Sequence, residues 1–141
     1  MPRKLLFLCP HNAAKSVIAM AYWNHLAPQC GLAVIADSAG TEPSASVPPV
    51  VIALLAEAGM DVSHYRSRRV LVEDVRSAER IISMGCTAEE LPLAPTRIAF
   101  WSDVPLVSQQ PEHACEVIRA HIEQLIAELH HPLEPPEGGI I

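Results

Sequence analysis

Leu5-Leu6-Phe7-Leu8-Cys9-Pro10-His11-Asn12-Ala13-Ala14-Lys15-Ser16 decides how this chain of 141 residues is read. Its first four residues form a short continuous apolar run, the pattern of a strand buried on both faces inside a parallel sheet. The run stops at Cys9. A more polar stretch from Pro10 to Lys15 then leads to Ser16, a residue type suited to N-cap a helix reaching about Ala27. Val17, Met20, Ala21 and Asn24 recur along it at helical spacing, and Pro28 and Gly31 break the pattern.

Working outward, residues 32–36 read as a second strand and Asp37-Ser38-Ala39-Gly40 as the turn after it. Pro48-Pro49 opens a helix that runs to Gly59. Residues 70–78 predict a shorter helix, 80–84 a third strand, 96–100 a fourth, and 111–130 a long closing helix. Strands alternating with helices at these lengths imply an α/β single domain: a four-stranded parallel sheet with helices on both faces and right-handed crossovers. The domain spans residues 1–131, and residues 132–141, with their Pro and Gly, form an irregular tail. Ligands of such sheets bind beyond the carboxyl ends of the strands, where Cys9, Ser38, Cys86 and Asp103 all fall.

Half the residues are hydrophobic and 18% are charged, a balance that lets the domain fold alone. With ten Lys plus Arg against sixteen Asp plus Glu, the net charge is −6, which disfavours a sequence-independent hold on nucleic acid or anionic lipid. No apolar run is long enough to span a bilayer, and Met1-Pro2-Arg3-Lys4 passes straight into the first strand without a signal-peptide core. A cytoplasmic location with neither nucleic-acid nor membrane partner is expected. Cys9, Cys30, Cys86 and Cys115 include no CxxC pair, so no metal site is expected and all four should be thiols in a reducing compartment.

The loop that enters the first helix is the place for chemistry. Its backbone N–H groups lack intrahelical partners, and the helix dipole adds partial positive charge there. Anions bind such places, and a cysteine at the mouth feels a field that favours its nucleophilic thiolate. Lys15 adds a charge and Ser16 a hydroxyl, so a tetrahedral oxyanion such as phosphate or arsenate would be held against the sulfur. Taken singly, each residue has a plainer explanation: Cys9 a small buried hydrophobe, Lys15 a solvated charge, Ser16 a cap, His11 an exposed loop residue.

Taken together they resemble a known family. Cys9, five intervening residues, then a basic residue and Ser are similar to the signature of the low-molecular-weight protein tyrosine phosphatases and, more closely, of the thiol-linked arsenate reductases that share their fold. Asp37-Ser38-Ala39-Gly40-Thr41-Glu42-Pro43, Gly59-Met60-Asp61-Val62-Ser63-His64, Ser83-Met84-Gly85-Cys86 and Trp101-Ser102-Asp103-Val104-Pro105 resemble further segments of that family, in the right order over residues 4–129. The resemblance implies that Cys9 attacks the oxyanion and that Pro10, His11, Asn12, Ala13, Ala14 and Lys15 wrap it, with Asn12 shaping the cradle. It implies that Ser16 stabilises the thiolate, that Asp103 protonates the leaving oxygen and that Cys86 carries the redox step. It implies no tightly bound cofactor, only an external thiol reductant: thioredoxin, glutaredoxin or a small thiol.

Three departures from that pattern bear on the chemistry. Lys15 stands where the family has Arg, replacing a planar fork with a point charge. Val104 separates Asp103 from Pro105, where the family's Asp precedes Pro directly. Residues 87–95 lack the second cysteine of the reductases that complete an internal cascade, so either Cys115 substitutes or a small thiol or glutaredoxin-type partner does. Three readings follow: an arsenate reductase, a phosphatase acting on phosphotyrosine or small phosphate esters, and a catalytically weakened oxyanion-binding or regulatory protein.

Overall fold

A computed structural model describes residues 3–130. The elements are β1 (Arg3–Leu8), α1 (Lys15–Leu26), β2 (Val34–Ala39), α2 (Pro49–Glu57), α3 (Val72–Ser77), β3 (Arg80–Ser83), β4 (Ile98–Phe100) and α4 (Pro111–His130). The four strands pair in parallel in the order β2-β1-β3-β4. The chain therefore leaves β1 toward one side to make β2, and later crosses to the other side to make β3. A crevice opens where the two directions part, at the carboxyl end of β1. Cys9 is the next residue.

Alternation along β1 assigns the two faces of the sheet. Leu5 and Phe7 are buried with Val17 and Trp23 of α1, Leu55 of α2, and Ile118 and Ile122 of α4. Leu6 and Leu8 pack on the opposite face with Val70, Val75, Ile81 and Leu91. Each such Leu or Phe stabilises the fold by roughly 1.5–3 kcal/mol relative to exposure. Helices thus cover both faces, as expected. Asn24, on the otherwise apolar face of α1, donates to the Ala36 carbonyl at 3.0 Å and accepts the Ala36 N–H at 2.9 Å. It satisfies backbone on the side of β2 away from β1, an edge that would otherwise be open.

Two local expectations are corrected. Asp37, Ser38 and Ala39 are not a turn: they continue β2, in register with Leu6, Phe7 and Leu8. Ser16 is not the N-cap, because α1 begins at Lys15 with Ala14 in the capping position and no side-chain cap. The Ser16 hydroxyl is engaged elsewhere. The other elements differ from expectation only at their ends, and the tail falls outside the described residues. No described helix is long and apolar enough to cross a membrane.

Candidate active site

Beneath the Cys9 loop lies a floor of polar side chains from four separate segments. Asn12, at φ 48°, occupies the left-handed region that Asn tolerates better than most residues, and it is fully buried. Its Oδ1 accepts the Arg68 backbone N–H at 2.9 Å and the Tyr65 hydroxyl at 3.2 Å. A backbone N–H can only donate, so this bond fixes which end of the amide is oxygen. The Asn12 Nδ2 then donates to Ser16 Oγ at 2.9 Å and to Ser38 Oγ at 3.0 Å. Ser16 Oγ accepts from Asn12 and keeps its single proton for Cys9 Sγ, 3.0 Å away. The Ser16 N–H donates to the same sulfur at 3.4 Å. Two donors converge on Cys9, which is what an anionic sulfur requires.

Tyr65 and Arg68 hold this floor from outside the loop. The Tyr65 hydroxyl lies 2.6 Å from Ser38 Oγ and shares its single proton between Asn12 Oδ1 and the Ser38 carbonyl, 2.9 Å away. Burial pushes the Tyr65 phenol up from its ordinary value, against the opposing hydrogen bond with Ser38, so it remains a proton donor. The Arg68 guanidinium bonds both Asp74 oxygens and Asp37, each at 2.9 Å. Burial of Asp74 favours its neutral form, yet the Arg68 and Leu71 hydrogen bonds outweigh this and hold its carboxyl below the usual range. Ser67 Oγ completes the support by donating to the Asn12 carbonyl at 2.7 Å.

Above the floor the loop presents a ring of unused donors. The N–H groups of His11, Ala13, Ala14 and Lys15 have no partner among the described residues. The Lys15 side chain lines the cavity and makes no hydrogen bond or ion pair with any described residue. A helix entrance with free N–H groups and a free cation is an anion site. Gly40 allows the loop to close, since a Cβ there would lie 2.7 Å from the Cys9 carbonyl oxygen, 2.9 Å from the Asn12 nitrogen and nearer still to the Pro10 carbonyl. Chain crossing is secured by Glu42 N–H donating to Pro10 O at 2.7 Å and Ser44 N–H to His11 O at 2.9 Å.

Cys86 follows β3 in a turn built by Ser83, whose Oγ donates to the Cys86 carbonyl at 2.7 Å and accepts the Cys86 N–H at 2.9 Å. Gly85, at φ 119°, supplies the backbone form this turn needs beside Pro10. The Cys86 sulfur is buried, 3.8 Å from Thr41 Oγ1. Burial pushes its thiol up, and the electrostatic influence of Cys9 adds in the same direction. Cys30 is exposed and Cys115 half-buried, and all four cysteines are free.

The loop opens into a cavity of about 560 Å³. Besides Cys9 and its loop, the walls are Ser44 and Pro48 from the approach to α2, Val50 and Val51 from its first turn, Met84 and Gly85 after β3, and Leu106, Val107 and Ser108 after β4. Asp103 is not among them. Its carboxylate hydrogen-bonds His121 Nε2 of α4 at 2.8 and 3.1 Å, and that bond holds it below the usual carboxylate range. The His121 ring is itself stacked on Trp101, with centroids 4.4 Å apart. The structure therefore brings together Cys9, the 10–15 loop and Ser16, buries Cys86 after the neighbouring strand with the cluster on the other face of the sheet, and turns Asp103 toward α4. Sequence reasoning does not single out Tyr65, Ser67, Arg68 or Leu106. The Tyr65 to Arg68 stretch begins one residue beyond the nearest segment that carries the resemblance.

A family model described as low molecular weight phosphotyrosine protein phosphatase matches residues 4–97, which contain the cradle, its floor and Cys86. The chain belongs to that family. It is similar over 136 residues, at 27% identity and 95% of both chains, to a candidate arsenate reductase of Halobacterium salinarum. Among solved structures, the thioredoxin-dependent arsenate reductase of Corynebacterium glutamicum superposes with a TM-score of 0.78 at 28% identity, over 93% of this chain. The present chain spans 63% of that reductase's length. The low molecular weight protein tyrosine phosphatase of T. tengcongensis superposes with a TM-score of 0.81 at 22% identity, over 90% of this chain and 99% of its own, which establishes the shared fold.

Proposed function

We propose that this protein is a cytoplasmic arsenate reductase. The observation that carries the reading is a cysteine sulfur held by two donors at the base of an anion cradle, with a second buried thiol, Cys86, after the neighbouring strand. Arsenate would sit on the N–H groups of His11, Ala13, Ala14 and Lys15, beside the Lys15 side chain. Cys9 Sγ attacks arsenic: the S–As bond forms, an As–O bond breaks, and the departing oxygen leaves as water. The Cys86 thiolate then attacks Cys9 Sγ, the S–As electron pair stays on arsenic, and arsenite is released as a Cys9–Cys86 disulfide forms. An external thiol of the thioredoxin or glutaredoxin type, or a small thiol, returns both cysteines to the reduced state.

Release of arsenite from arsenate with a dithiol reductant tests this directly. Cys9→Ser should abolish release, by on the order of 10³-fold or more, and mass mapping of reduced protein treated with arsenate should find Cys9 joined to Cys86. Because burial pushes the Cys86 thiol up, the second step should accelerate as pH rises and should go on accelerating beyond the pH at which an ordinary thiol is fully ionised. An active Cys9→Ser protein would defeat the mechanism.

The apolar walls of the cavity favour a second reading, hydrolysis of a phosphate ester with an apolar leaving group. Turnover of p-nitrophenyl phosphate that survives Cys86→Ser, in the absence of arsenate reduction, would select it.

A further inference from the structure

Whichever bond to oxygen is broken at Cys9, the departing oxygen must gain a proton. Among the described residues lining the cavity, only Cys9, His11 and Lys15 have ionisable side chains. Cys9 is the nucleophile. Lys15 is the cation of the cradle. Among the described residues no carboxylate lines the cavity, and Asp103 is bonded to His121 instead.

His11 is held in a way that leaves one nitrogen for exchange. Its Nδ1 lies 2.9 Å from the Glu42 carbonyl oxygen, which can only accept, so Nδ1 carries a proton whether the ring is charged or neutral. Protons therefore come and go at Nε2, and imidazole is the side chain suited to exchange near neutral pH. The backbone of the same residue is pinned by the Ser44 N–H, 2.9 Å from the His11 carbonyl.

Resting on the reductase reading, we propose that His11 is the proton donor of the first step, acting from Nε2. As the Cys9 Sγ–As bond forms and the As–O bond breaks, the departing oxygen takes the Nε2 proton and leaves as water. The neutral imidazole regains its proton from solvent. The titratable side chains that line the cavity with His11 are Lys15 and Cys9 of its own loop, and its Nδ1 partner is the Glu42 backbone carbonyl. The cavity-lining stretches of the α2 approach, the turn after β3 and the loop after β4 add none.

The test uses His11→Asn, which keeps an N–H able to reach the Glu42 carbonyl but has no titratable nitrogen. The rate of the first step with arsenate should fall by about 10²-fold, with the limb of the pH–rate profile due to loss of the donor's proton absent and inhibition by inorganic phosphate unchanged. With aryl phosphates of graded leaving-group basicity, the parent rate should vary little across the series and that of His11→Asn should fall steeply toward the more basic leaving groups. A variant as fast as the parent on both substrates overturns the proposal, and so does one that has lost phosphate binding, since that marks a structural role. If the parent makes no arsenite but shows the His11-dependent slope with aryl phosphates, the reductase reading fails and the proton donor stands. If the parent makes arsenite and His11→Asn is unimpaired, the reading stands and the proton donor fails. Turnover of neither substrate overturns both.

Discussion

The two sides of Cys9 are built on opposite rules. Below the sulfur, Asn12, Ser16 and Ser38 are fully buried and polar, and the hydrogen bonds that Asn12 makes there each have a determined direction. Above it, the wall is apolar and open: Val50 is 48% exposed and Leu106 55%. A buried polar network tolerates little change, because removing one member leaves its partners unsatisfied in a low-dielectric interior. An exposed apolar wall tolerates exchange, because water replaces whatever is removed. The floor therefore positions the sulfur and shapes the cradle, while the wall decides what is attached to the oxyanion that enters.

The comparison breaks most visibly at Asn12. Asn12→Ala removes the hydrogen bonds that its amide accepts from Arg68 and Tyr65 and those it donates to Ser16 and Ser38, and it strands the Arg68 N–H. Stability should fall by about 1–3 kcal/mol, measured by chemical denaturation, and turnover by on the order of 10²-fold, because small displacements of reacting groups are costly. If Asn12→Ala denatures and turns over as the parent does, the floor has no governing role.

A smaller effect on the other side sharpens the contrast. Leu106→Ala should leave the KM for arsenate unchanged, since the bare anion needs only the cradle. The affinity for an aryl phosphate should weaken by about 1 kcal/mol, a change of about fivefold, because the aryl ring then buries less apolar surface against the wall. Equal losses with arsenate and with aryl phosphate would mean that Leu106 shapes the cradle itself.

The same division explains what can be read along the chain and what cannot. The Cys9 loop is contiguous, so its thiol, its cation and the residues that form its cradle stand together as text. So does the alternation of strands and helices, because burial on two faces writes itself as short apolar runs. Ser38 reads at the right end of the right strand, although within a turn, because its polar neighbours Asp37 and Gly40 resemble turn chemistry and only the pairing with β1 shows otherwise. Tyr65 lies 53 residues from Asn12, and nothing local marks a Tyr in a loop as the support of a distant amide. Asp103 is the opposite case. The resemblance of the segment from Trp101 to Pro105 points to the site, but the direction of Asp103 depends on His121, which stacks on Trp101 from α4, a helix whose sequence shows only an amphipathic stripe.

The smallest expected effect concerns Arg68, which serves the floor through its backbone and the surface through its side chain. The folded Asp74 carboxyl lies below its unfolded value, so the stabilisation it shares with Arg68 is present above about pH 4 and is lost as pH falls through the lower folded value. The pair is partly exposed, with side-chain exposures of 30% for Arg68 and 16% for Asp74, which keeps its worth within about 1 kcal/mol. Denaturation midpoints taken at successive acid pH values should therefore decline more in the parent than in Asp74→Asn. At neutral pH Asp74→Asn should be less stable but nearly as active, because the bond that orients Asn12 comes from the Arg68 backbone N–H and not from its guanidinium. A large loss of turnover in Asp74→Asn would show instead that the ion pair positions the backbone, and would extend the floor outward to the protein surface.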